Sequence, residues 1–394
     1  MSQHEHRTRE TLPEQRQAGV CLHVTSLPGP YGIGEIGSAA RRFVDAAADM
    51  NLRVWQVLPC GPTAYGDSPY QALSAFAGNE LLIDTGDLLK ENLVTKGHAD
   101  TLVSLSDTET DYGALVPRKN ALLERAAERF DGHASAAMRT ARDEFLHTAD
   151  ATWLHDYALF RILKRCHDGR PWTEWQTDLV RREPEALRRT ESRFRTELER
   201  IKTLQFLFHV QWQRLRFHAA SRGVALFGDV PIYIALDSTD AWANREIVEL
   251  DQDGHPTRVA GVPPDYFSAD GQLWGNPLYD WQRNAEDGYA WWVKRVRRAI
   301  ELTDLARIDH FRGFESYWAI PAGASTARHG EWLPGPGDAI FDALQNALGR
   351  LPIVAEDLGI ITPAVEALRD RHGLPGMRVL QFEVDDVNFA LDAI

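Results

Sequence analysis

One rhythm narrows the fold more than any other feature of this chain: short β-rich apolar runs recur along it, separated by stretches with helical periodicity. The candidate strands are Val20 to Thr25, Arg53 to Leu58, Ala225 to Ile234, Leu305 to Ile308, Pro352 to Ala355 and Met377 to Phe382. Between the first two, Ser38 is the expected N-cap of a helix reaching Met50, with Phe43, Val44 and Ala47 on one face. After the fifth, Thr362 is the expected cap of a helix with Pro363 at its first position and Gly373 just past its end. Strands alternating with helices predict parallel βαβ units, because parallel neighbours need a crossover between them.

Two stretches break the rhythm. Residues 85–205 are charged, helical in period and poor in β signal, and read as a helical insertion. Residues 237–277 are rich in Gly, Pro and aromatics and read as a second insertion, one that covers substrate. The resulting organisation is a flexible arm over 1–18, a first βα part over 19–84, the helical insertion, and a second βα part over 206–394. With 44% hydrophobic and 25% charged residues the chain can bury a sizeable core. Its formal net charge of −14 disfavours a polyanionic partner, nucleic acid included. No apolar run of about 20 residues suits a membrane span, and the polar start from Met1 to Gly19 lacks the apolar core of a secretory signal. Cys21, Cys60 and Cys166 have no CxxC spacing; Cys21 and Cys60 sit in apolar runs and read as small buried hydrophobes. That usage suits a reducing, cytoplasmic setting and offers no zinc site.

The run Gly32-Ile-Gly-Glu-Ile-Gly37 matches GxGxxG between a strand and a helix. A dinucleotide site is nevertheless not expected. Six residues, Ser26 to Tyr31, part the strand from the first glycine, Pro28 and Pro30 remove donors, and the next strand ends in Val57-Leu-Pro-Cys60 with no acidic residue for a ribose. The turn reads instead as a loop whose glycines let backbone pass close to a ligand.

Reactive groups concentrate at two strand ends. Asp309 closes the fourth strand, with Arg307 two positions earlier on the same side, where a guanidinium would keep the carboxylate ionised. The same pair also reads as a structural ion pair. Glu356 follows the apolar run Ile353-Val-Ala355, so partial desolvation would raise its pKa as a general acid requires. Two carboxyls at the C-terminal ends of neighbouring parallel strands suit glycosidic chemistry in a barrel: one attacks the anomeric carbon while the other protonates the leaving oxygen. His23, Asp309, His310, Glu356 and Asp357 could converge on a metal, but no HxxEH or HxH spacing supports this and no metal is expected. The stretch from Gly261 to Tyr279 combines Pro turns with Tyr266, Phe267 and Trp274 and polar amides, a mixture that fits the C–H faces and hydroxyls of glucose rings.

Gly61-Pro-Thr-Ala-Tyr-Gly-Asp-Ser-Pro-Tyr-Gln71, Gly228-Asp-Val-Pro-Ile232, Gly261 to Tyr279, Arg307 to Gly313 and Ala355 to Gly359 together resemble the amylomaltase family (disproportionating enzymes, glycoside hydrolase family 77), from about Gly19 to Asp385. The resemblance implies a (β/α)8 TIM barrel with inserted helical and loop subdomains. It implies a 4-α-glucanotransferase acting on α-1,4-glucans, with no cofactor and no metal. It makes Asp309 the nucleophile and Glu356 the acid/base. Tyr65, Asp67, Ser68 and Tyr70 would line the donor side or a second glucan groove, and Arg307 would orient the nucleophile. Asp265, Tyr266, Phe267, Gln272, Trp274, Asn276 and His310 would contact the glucan. The family's third carboxylate belongs to a His-Asp-Asn motif on the seventh strand, which this sequence does not reach; the last strands are therefore expected in a natural chain continuing past Ile394. A hydrolytic α-glucanase and an inactive glucan-binding protein remain the alternative readings.

Overall fold

The computed structural model describes residues 16–380, apart from Ala64, Tyr266 and Phe267, and describes only the backbone of Tyr65. Nine strands lie in the described chain: β1 (Gly19–Cys21), β2 (Val54–Gln56), β3 (Ala225–Pro231), β4 (Arg258–Val262), β5 (Gln272–Pro277), β6 (Leu305–Asp309), β7 (Ser316–Pro321), β8 (Glu331–Pro334) and β9 (Ile353–Ala355). The chain divides into two compact units. The first runs through Gly228 and adds Asp237–Ala243 and Lys294–Leu305; the second holds Asp229–Leu236, Asn244–Val293 and the residues from Ala306 on.

In the first unit β1, β2 and the start of β3 pair in parallel, with Trp55 opposite Val20 and Leu226. Val20 packs towards the core and Cys21, next along the strand, is exposed. This corrects the expectation of a buried thiol there, because successive strand residues face opposite sides. The first strand is also shorter than expected: Ser26 N donates to His23 O and Leu27 N to Val24 O, winding Val24–Ser26 into a 3-10 turn. The helix Ser38–Asp49 has Gly37 at its cap; Ser38 is its first residue, its N–H donating to Asp84 Oδ2 at 3.3 Å. Val44 and Ala47 are buried and Phe43 packs on the same core. From Thr85 to Ser221 the chain is almost wholly helical, ending in the 27-residue helix Arg195–Ser221, which buries Phe206, Phe208, Trp212 and Leu215.

In the second unit β6 and β9 pair in parallel, and β5-β4-β7-β8 form an antiparallel sheet. That sheet takes in part of what the sequence presented as loop: Gly261 and Val262 belong to β4, and Gln272, Leu273 and Pro277 of β5 pair against it, with the register shifting between Val259 and Gly261. Glycines and prolines mask the alternation there, and the bulge absorbs the irregularity. An aromatic core of Trp281, Trp292, Phe311, Phe314 and Phe341 packs at centroid separations of 5.2 to 6.1 Å. The helix Pro363–Arg371 forms as expected, with Thr362 capping Val365 N and Gly373 at φ 62° beyond its end. Of the expected sixth strand, residues 377–380 are not strand: Met377 N donates to the Asp357 carboxylate at 2.7 Å, which takes it from any ladder; Gln381 and Phe382 lie outside the described residues. Among the described residues no helix is long and apolar enough to cross a membrane.

Candidate active site

Strand pairing places the two carboxyls. β6 and β9 run parallel with Ala306 opposite Ile353, Arg307 opposite Val354 and Ile308 opposite Ala355. Asp309 and Glu356 are the next residues on each strand. Ile308 and Ala355 are buried, so alternation turns both carboxyls to the other side, on strands about 4.8 Å apart. The ladder closes tightly there, with Glu356 N donating to Ile308 O at 3.0 Å and Phe311 N to Glu356 O at 3.0 Å.

His310 sets the position of the Glu356 carboxyl. Its backbone is left-handed (φ 55°, ψ 50°), an uncommon conformation for a side-chain-bearing residue. Its N–H thereby meets Glu356 Oε2 at 2.7 Å, while Leu358 N donates to Oε1 at 3.0 Å. Each oxygen of Glu356 is thus pinned by one backbone donor. Gly313 lets this turn pack: a Cβ there would lie 2.8 Å from Ile232 Cδ1 and 3.2 Å from His310 Cδ2.

Arg307 lies between two acids. One guanidinium nitrogen donates to both oxygens of Asp229, at 2.9 and 2.8 Å, and the other to Asp309. The Asp229 side chain is fully buried and that of Asp309 is 30% exposed. Burial lifts the Asp309 carboxyl above its ordinary pKa while Arg307 opposes the shift. The guanidinium therefore counters desolvation at Asp309 without overcoming it, a weaker hold than the sequence suggested. Glu356 is also raised, first by burial and then by the charge of Asp309, against its backbone donors. Burial holds His310 down to about 3, neutral at ordinary pH, and its buried Nε2 has no hydrogen-bond partner among the described residues.

Trp274 stands with its ring 4.8 Å from His310, edge to face, and its Nε1 donates to Gln272 Oε1 at 3.1 Å. Gln272 and Trp274 are two apart on β5 and share a face. Asn276 is buried, donating to Ile234 O at 2.8 Å, and Tyr279 OH donates to Ile232 O at 2.9 Å. These side chains use the carbonyls that would have extended β3 to Ile234, so the strand stops at Pro231. Asp265 caps its own turn, accepting from Ser268 N at 2.8 Å. Tyr266 and Phe267 lie outside the described residues.

The loop with Tyr65, Asp67, Ser68 and Tyr70 belongs to the first unit. Thr63 bridges Ala72, Gly66 and Asp67 take positive φ (64° and 52°), and Ser68 Oγ accepts from Tyr70 N at 3.4 Å. Asp67 is exposed, and its charge helps raise the Tyr112 phenol after burial. His23, in the same unit, is held down to about 4 by burial. The GxGxxG run packs on its own protein: a Cβ on Gly34 would fall 1.9 Å from Val24 O, and one on Gly37 1.8 Å from the Asp84 carboxylate. The close approach expected of a ligand is therefore made by the chain itself.

Sequence reasoning gave no role to Asp229 or Tyr233. Asp229 holds Arg307 from the end of β3; Tyr233 lies 6.2 Å from Trp274 and 6.5 Å from His310, ring to ring. The signal was present in Gly228-Asp-Val-Pro-Ile232, an acid inside an apolar strand.

The profile of a family described as 4-alpha-glucanotransferase matches residues 22–393. A 4-alpha-glucanotransferase of Synechocystis sp. is 47% identical over 374 residues, covering 94% of this chain and 74% of the relative. One from Thermus thermophilus is 48% identical over 371 residues, covering 94% and 73%. Among solved structures, the amylomaltase of Streptococcus agalactiae in complex with acarbose superposes with a TM-score of 0.89 at 38% identity, covering 93% of this chain and 74% of that one.

Proposed function

Since this chain belongs to the 4-alpha-glucanotransferase family, with its (β/α)8 fold class, we propose that Asp309 and Glu356 carry its transfer reaction by retaining double displacement. The substrates are α-1,4-glucans: a maltodextrin donates a segment and glucose or another maltodextrin accepts it. One observation carries the assignment of roles. Asp309 and Glu356 end adjacent parallel strands in register, with opposite electrostatic neighbours. The strand spacing of about 4.8 Å suits the ~5–5.5 Å carboxyl separation of retaining enzymes better than the wider gap of inverting ones.

Asp309 Oδ attacks the anomeric carbon as the bond to the leaving sugar oxygen breaks. Glu356 gives that oxygen its proton. The acceptor's hydroxyl then loses a proton to Glu356 and displaces Asp309, returning both carboxyls to their starting states. Arg307 next to Asp309 favours the ionised nucleophile, whereas the negative charge of Asp309 helps Glu356 keep its proton. The pinned oxygens of Glu356 give the proton a fixed direction of delivery. Trp274 offers a sugar ring a flat apolar face, and Gln272, Asn276 and Asp265 supply polar contacts or brace the walls. Neutral His310, edge to face with Trp274, borders the sugar. The loop of Tyr65, Asp67, Ser68 and Tyr70 contributes further glucan contacts. We place the enzyme in the cytoplasm, in keeping with three free cysteines.

Maltotriose tests the reading: transfer yields glucose and longer maltodextrins, hydrolysis only shorter sugars. Asp309→Asn is expected to abolish turnover with the fold intact. Glu356→Gln is expected to regain activity on a glycosyl fluoride, whose leaving group needs little protonation. Inverted products, or equal losses of Glu356→Gln on fluoride and maltotriose, would refute the assigned roles.

A further inference from the structure

A cavity of about 540 Å³ lies in the first unit, between the helices Ala136–Ala149 and Arg195–Ser221 and residues 294–301. One part of its wall is aromatic. Phe76 stacks on Trp153 at 6.4 Å, and Phe145 packs against His209 at 4.8 Å and Phe206 at 6.0 Å. Set among them is a cation, Arg298, only 6% exposed. Its Nε donates to Phe76 O at 3.1 Å, its Nη1 reaches Glu301 at a long 3.4 Å, and its guanidinium lies 5.4 Å from the Trp153 ring centre. Among the described residues its buried Nη2 has no hydrogen-bond partner, and neither has Nδ1 of His209.

A buried guanidinium donor without an acceptor is unfavourable and selects for an anion that can supply one. Burial also lowers the Arg298 pKa, as expected for a charge short of acceptors. Lys294 and Arg297 add positive charge to the lining, and Glu144 and Glu301 add negative charge. Such a mixed lining accepts one negative charge and repels several. The size falls within the usual range for small-molecule sites.

We propose that this cavity binds an amphiphilic monocarboxylate with the chemistry of a medium-chain fatty acid, its carboxylate on Arg298 and its tail against Phe76, Phe145, Trp153 and Phe206. The inference does not rest on the transfer reaction. Calorimetric titration of the full chain with decanoate, below its micelle-forming concentration, is expected to show one saturable site. Decanol, with the same tail and no charge, is expected to bind about tenfold more weakly or worse. Arg298→Met is expected to weaken decanoate by a similar factor. Ala141→Phe, which fills the cavity from the helix Ala136–Ala149, is expected to weaken both ligands and decides the matter if Arg298→Met does not fold. No saturable heat, equal binding of decanol and decanoate, unchanged binding by both variants, or displacement of decanoate by maltotriose would each overturn the proposal.

Discussion

Replacing Asp229 by Asn keeps the side-chain shape and removes a fully buried negative charge whose two oxygens accept from Arg307 at 2.9 and 2.8 Å. Hydrogen bonds to charged groups contribute about 1.5–3 kcal/mol, and a neutral amide oxygen restores about 1 kcal/mol. Breaking a buried ion pair outright costs about 3–5 kcal/mol, an upper bound here because Arg307 keeps Asp309. The expected loss is therefore about 1–3 kcal/mol, a fall in Tm of several degrees. The catalytic consequence is more specific. Freed from Asp229, Arg307 is drawn towards Asp309, which lowers the Asp309 pKa from its raised position and, in the proposed mechanism, pulls the nucleophile off its line. Displacements of about 1 Å cost on the order of 100-fold in rate. Maltotriose kinetics across pH, alongside thermal unfolding, should show kcat/KM reduced on that scale and its acid limb moved to lower pH. A variant with near-wild-type kcat/KM and an unmoved acid limb would refute the idea that Asp229 restrains Arg307.

Two further outcomes are expected. Trp274→Ala removes the ring that meets His310 at 4.8 Å and with it about 1 kcal/mol of stacking; the hydrolysis-to-transfer ratio on maltotriose should rise, and an unchanged ratio would make the ring structural only. Burial holds His209 at about 4 against its ordinary 6.5, so below pH 6.5 the unfolded chain binds a proton that the folded chain does not. Stability then falls as pH drops from 6.5 towards 4, by up to about 1.4 kcal/mol per pH unit. His23 and His310 act in the same direction. His209→Phe should flatten the slope of urea-unfolding free energy against pH by about one proton, and identical slopes would contradict the burial argument.

Asp309 and Glu356 were legible in the sequence because a charged residue directly after an apolar run is conspicuous in one dimension. The alternation of strands and helices announced the parallel order of their strands, whereas the register between them was not legible. The role of Asp229 was hidden because it depends on Arg307, 78 positions away. The left-handed turn at His310 was hidden for a different reason: nothing in His-Phe-Arg-Gly distinguishes it from an ordinary strand exit, and tertiary closure onto β9 imposes it. The antiparallel sheet around Trp274 escaped because Gly261, Gly271, Gly275 and the prolines between them break period-2 patterning.

The shared guanidinium of Arg307 also sets a charge sum. Asp229, Arg307 and Asp309 together bring two negative charges and one positive, and a protonated Glu356 adds none. These three side chains are thus net negative by one unit, and in the proposed mechanism they would face a neutral sugar at the start of each cycle. As the bond to the leaving oxygen stretches, the sugar ring acquires oxocarbenium character, and the surplus charge meets a positive centre that did not exist in the bound substrate. Electrostatic attraction that appears only along the reaction coordinate lowers the barrier without tightening the ground state. A neutral trio, with either acid replaced by its amide, would bind the same sugar and forgo that gain.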